Sequence, residues 1–78
     1  MYVYIIQSVK YPKHKYTGIT MCLKKRINEH NTGKCTHTNK FKPWKFRTII
    51  WFSDESKARK FEKYLKQGSG HAFSKKHF

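Results

Sequence analysis

The stretch KYTGITMCLKKRINEHN, residues 15–31, changes its period halfway along. Lys15 to Thr20 alternates as a strand does. From Met21 to Asn31 the apolar stripe has helical spacing, with Leu23, Ile27 and His30 on one face and Arg26 at its edge. Thr20 is expected to cap that helix, and Gly33 to end it as a left-handed residue. Gly18 interrupts the strand without a side chain, which marks a close approach by another backbone or a ligand.

Working outward, YVYII (Tyr2–Ile6) is aromatic and β-branched, a good strand. SVKYPKHK between the two strands is polar and contains a proline, as a loop or wide hairpin turn does. Beyond the helix, KCTHTNKFKPWK reads as a basic irregular loop and FRTIIWF (Phe46–Phe52) as a third strand. SDES then caps a second helix running to about Lys66, with Asp54 and Glu55 where the helix dipole favours acids. GSGHAFSKKHF is a glycine break followed by a short helical tail. The order is β-β-α-β-α with a final short helix. The fold class is α/β (α+β), a small, mostly antiparallel three-stranded sheet flanked by helices, and residues 1–78 are read as one domain.

The charge narrows the function. Lys and Arg number 18 against 4 Asp and Glu, a net charge of +14. Self-repulsion of that size suits a polyanionic partner, with nucleic acid first and an anionic membrane surface second. No helix pattern sets bulky apolar residues against a basic face, and YVYII and IIWF are far too short to span a bilayer. The opening residues form a strand pattern without a basic leader or cleavage site. Two cysteines, Cys22 and Cys35, in such a chain read as reduced thiols, and a cytoplasmic, intracellular location is expected.

Glu62 is the anomaly among the four acids. It lies on the stripe of Ala58, Phe61 and Leu65, where a carboxylate is out of place. Two readings are open: a partly buried ion pair with Arg59 or Lys66, or a carboxylate holding a hard divalent cation whose other ligands are water and phosphate. Arg26 and His30, four residues apart, project together from the first helix. Arginine can neutralise a phosphate bidentately and histidine can move a proton near neutral pH. Tyr4 and Tyr16, on adjacent strands, are either packed in the core or supply a base, and a base needs its pKa lowered by nearby cations. Cys22, His30, Cys35 and His37 match no usual zinc spacing. Lys24 on the helix, and Lys34, Lys40, Lys42 and Lys45 interleaved with Phe41, Trp44 and Phe46, form a candidate phosphate-tracking edge.

Taken in order, YVY at Tyr2–Tyr4, YTG at Tyr16–Gly18, LKKRINEHN at Leu23–Asn31, KPWKF and ARKFEKYLK resemble the GIY-YIG endonuclease superfamily. The chain is most similar to its short single-domain members, akin to the nuclease domain of the bacterial excision-repair C subunit. The resemblance implies that Tyr4 and Tyr16 lie side by side and that one of them activates the attacking water. It implies that Arg26 steadies the scissile phosphate, that His30 assists the tyrosines, and that Glu62 binds one Mg²⁺ or Mn²⁺. It also implies DNA as substrate and repair as the setting. One small domain has little surface for reading bases, so targeting by a protein partner or by dimerisation is expected. The chain departs from the family pattern at Tyr2-Val3 and Thr17, at Thr20 where some branches carry lysine, and in having no asparagine after Glu62. The expected function is therefore a metal-dependent DNA endonuclease. The alternative is a non-catalytic basic nucleic-acid-binding module on the same fold.

Overall fold

A computed structural model describes residues 1–67 and 76–77. The elements follow the expected order: β1 (Tyr2–Ser8), β2 (Lys15–Thr20), α1 (Leu23–Asn31), a short 3₁₀ turn at Asn39–Phe41, β3 (Trp44–Trp51) and α2 (Glu55–Lys66). The tail helix expected after Gln67 lies outside the described residues, apart from 76 and 77.

The three strands form an antiparallel sheet with β1 in the middle, in the order β2-β1-β3. Alternation along β1 sends its side chains to opposite faces. Met1, Val3 and Ile5 meet Ala58 and Leu65 of α2, with Ile19, Phe52 and Phe61 around them. Tyr4 and Ile6 meet Trp44, with Tyr16, Phe46 and the α1 residues Leu23 and Ile27 around them. The central strand thus serves two cores, one under each helix.

Local chemistry sets the element ends. Asp54 caps α2, its carboxylate accepting from the Ser56 and Lys57 amides at 2.8 and 3.3 Å. Such a cap stabilises a helix by about 1 kcal/mol. Gly33 ends α1 with φ +82°. The Lys34 amide then donates back to the Glu29 carbonyl at 3.1 Å, the closing bond of a left-handed helix stop.

The start of α1 differs from expectation. Thr20 stays in β2 opposite Tyr2, and Cys22 is the capping residue, without a side-chain cap. The Thr20 hydroxyl instead binds the Cys22 backbone on both sides, accepting from its amide at 3.1 Å and donating to its carbonyl at 3.2 Å. Being held in the ladder keeps Thr20 too far back to reach the first helical amides. β3 begins earlier than its apolar run, at Trp44. There Asn31 brackets the backbone: its carbonyl accepts from the Trp44 amide and its NH₂ donates to the Trp44 carbonyl. The end of α1 is thereby tied to the start of β3.

Candidate active site

The α1 side of the sheet carries a buried polar cluster centred on the Tyr4 hydroxyl. Tyr4 is 1% exposed and His30 0%. Room for the ring comes from Gly18, Tyr4's partner across the β1–β2 ladder. A Cβ there would lie 2.3 Å from Tyr4 Oη, so only glycine fits beneath it. The close approach expected at Gly18 is made by a side chain, not by a backbone or ligand.

Two residues one helical turn apart on α1 converge on that hydroxyl. Arg26 Nε donates to it at 3.1 Å and His30 Nε2 lies 2.9 Å away. On its other side His30 Nδ1 is 2.7 Å from Thr38 Oγ1. Thr38 is itself buried and reaches the Cys35 carbonyl at 3.4 Å. The proton positions follow by elimination. Arginine can only donate, so Tyr4 Oη accepts from it, and the arrangement that also satisfies the phenol's own proton sends it to His30 Nε2. The imidazole then carries its hydrogen on Nδ1 and donates to Thr38, which donates to Cys35. Among the described residues no buried side-chain nitrogen or oxygen is left without a partner.

The electrostatics keep this relay neutral. Burial pushes the His30 pKa down to about 4, with the Arg26 guanidinium adding to the effect against a smaller opposing pull from Glu29. Burial also raises the Tyr4 phenol above its ordinary value, although the Arg26 hydrogen bond works the other way. This is the opposite of the lowering expected of a tyrosine base. For Arg26, burial opposes the charge, but the hydrogen bonds it donates to Tyr4 and Glu29 outweigh it and the pKa is raised. Glu29 is half-buried and pairs with Arg26 Nη1 at 3.1 Å.

Tyr16 stands beside this cluster on edge strand β2, half-buried, with its ring 5.3 Å from the His30 ring. Lys66 at the end of α2 reaches over it, with Nζ 5.0 Å from the ring centroid. The same ammonium lies 3.0 Å from the Glu62 carboxylate, whose side chain is 19% exposed. Of the two pairings read from the sequence, Lys66 is the one formed; Arg59 pairs with Glu55 at 3.1 Å. Glu62 therefore already holds a cation, and that cation sits against Tyr16. Among the described residues no group of three or more His, Cys, Asp or Glu could hold a metal ion. One hard carboxylate, 19% exposed and paired with an ammonium, would fit a cation that keeps most of its waters and binds phosphate oxygens, as Mg²⁺ does, only with Lys66 displaced.

The expected nucleic-acid lysines, Lys24, Lys34, Lys40, Lys42 and Lys45, are all exposed. The aromatics between them are pinned inward: Trp44 is 5% exposed and its indole N–H donates to the Thr38 carbonyl at 2.8 Å. Lys45 alternates with Trp44 and Phe46, so it leaves the sheet on the side away from Tyr4. Thr38 and Glu29 were not foreseen as part of the site. Thr38 lies in a polar loop eight residues from His30, and no sequence period links the two. Glu29 had a weak signal, its i+3 position after Arg26.

A buried tyrosine relay flanked by an arginine and a helical glutamate points to a phosphodiester-cleaving class of site. The GIY-YIG catalytic domain model matches residues 1–76, and the chain belongs to that family, a family of nucleases. Comparisons with the curated proteins and with the solved structures find no match.

Proposed function

We propose that the chain is a metal-dependent DNA endonuclease in which Tyr16, rather than Tyr4, receives the proton of the attacking water. The observation that carries this reading is the hub at Tyr4 Oη, held by Arg26 at 3.1 Å and His30 at 2.9 Å beside a half-exposed second tyrosine. Tyr4 is buried, neutral and committed to His30, so its part is to position Arg26. With Nε on Tyr4 and Nη1 on Glu29, the guanidinium keeps its Nη2 edge for a phosphate. Charge fixed in this way needs no reorganisation as the phosphorane charge develops. Tyr16 is the half-exposed tyrosine of the pair and the one a water on the phosphate can reach, with Lys66 Nζ 5.0 Å from its ring centroid.

Glu62 is the residue to hold one Mg²⁺ or Mn²⁺, taking it in place of the Lys66 ammonium. When bound, the ion supplies charge neutralisation at the phosphate. The water oxygen bonds to phosphorus, its proton passes to Tyr16, and the P–O3′ bond breaks with its electron pair going to the 3′ oxygen, which takes a proton from solvent, leaving a 3′-hydroxyl and a 5′-phosphate.

The test is nicking of supercoiled plasmid and branched oligonucleotides with Mg²⁺ or Mn²⁺, comparing wild type with Glu62→Ala and Tyr16→Phe. Metal-dependent cleavage lost in both variants, with DNA affinity retained, is the expected result. Salt-sensitive binding without cleavage by any of the three would replace this reading with that of a binding module. Cleavage surviving in Tyr16→Phe would remove Tyr16 from the mechanism.

A further inference from the structure

The face of the sheet that carries Tyr4 is only partly covered. Past α1 it exposes Ile49 at 45% and Trp51 at 60%. Register places Ile49 opposite Tyr4 and Trp51 opposite Tyr2, so all four side chains leave the same face. The Tyr2 and Trp51 rings pack at 4.9 Å between centroids with a 58° tilt. Trp51 therefore offers an open face while Tyr2 braces it from the side. The pair lies one register step, about 7 Å along the strand, from Tyr4, whose hydroxyl holds Arg26.

We propose that Tyr2 and Trp51 form a stacking platform for an unpaired base of the nucleic-acid substrate. Bound there, the base sets its neighbouring phosphate toward Arg26. The inference rests on the nucleic-acid reading above and adds a preference for single-stranded flaps or frayed ends over closed duplex. Two observations select this occupant. The chain carries +14 and attracts a phosphate backbone wherever it docks. An exposed aromatic within such a field binds any base that presents its π face, and bases in a closed duplex have theirs covered by one another. The second tryptophan, Trp44, is buried and tied to Thr38, so it does not compete for this role.

The test is binding by the full chain without divalent metal, so that no cleavage intervenes. Fluorescence anisotropy would follow a labelled oligothymidine and a closed hairpin duplex with the same number of phosphates. Wild type, Trp51→Ala and Trp51→Phe would be compared, with far-UV circular dichroism verifying the fold. The expected result is quenching of Trp51 by the single strand and a loss of its affinity on the order of tenfold in Trp51→Ala. Hairpin affinity should stay unchanged, and Trp51→Phe should recover most of the loss. Equal weakening of both ligands, or of neither, would overturn the platform while leaving the nuclease reading in place. So would a wild-type dimer in sedimentation that Trp51→Ala dissolves, since a second copy would then own the surface. Failure of wild type to bind either ligand would overturn both readings together.

Discussion

The two faces of the sheet are built by opposite rules. Under α2 the contacts are apolar: Met1, Val3 and Ile5 against Ala58 and Leu65. Under α1 the most buried residues include a tyrosine, a histidine and a threonine joined in one chain of hydrogen bonds. Apolar packing gains stability from burial whatever the finer geometry. A buried polar chain gains only when every member is satisfied, and each vacancy costs more than a bond contributes. Both faces gain stability from apolar burial, but only the α1 face spends part of that gain holding polar groups in a single orientation.

The sharpest way to break this contrast is to cut each face once. Leu65→Ala removes a side chain that is 2% exposed and should cost about 2–5 kcal/mol in urea denaturation. In so small a domain that is a large part of a total of about 5–15 kcal/mol. Thermal melts should show the same loss, and a cost near zero would mean that the α2 face contributes little to stability.

Next in size is the response to acid. His30 has a folded pKa of about 4 against an ordinary 6.5. Between those values the unfolded chain binds a proton that the folded chain refuses. Stability from this source is thus complete above about pH 6.5 and is lost as pH falls toward 4. Between pH 7 and pH 4.5 the wild type should lose roughly 2 kcal/mol more than His30→Gln. Equal losses in the two proteins would mean that the imidazole is not held neutral by burial.

The smallest effect on stability should come from Thr38→Val, and it bears most directly on the site. It removes the acceptor of the His30 Nδ1–H at near-constant volume, at a cost on the order of 1 kcal/mol. The tautomer then loses its anchor. Nitrogen-15 chemical shifts of His30 should move from a pure Nδ1–H form toward a mixture, with a fall in cleavage rate. An unchanged tautomer would show that Tyr4 alone sets it.

The legibility of the sequence follows the same division. Both helices, all three strands and the caps at Asp54 and Gly33 could be read from local patterns, because period and capping act over a few residues. Arg26 and His30 were found by helical spacing, and they do meet at Tyr4. The inward carboxylate of Glu62 was found as an anomaly in an apolar stripe, with Arg59 or Lys66 as its expected partner, and Lys66 is the one that pairs with it. Thr38 was invisible because its partner lies across an irregular loop. The raised pKa of Tyr4 was also invisible, since desolvation depends on the roof that α1 and Trp44 make together. The role of Thr20 was misplaced because cap propensity takes no account of a strand that holds the residue back.

The central position of β1 has one more consequence. Every local opening at the sheet's margins frees β2 or β3 first, and neither event alone releases the strand between them. Tyr4 is thus anchored in the segment whose amides should exchange with solvent only when the whole chain unfolds. The hub at Tyr4 should therefore outlast Tyr16, which stands on edge strand β2 and is released by the first opening on that side.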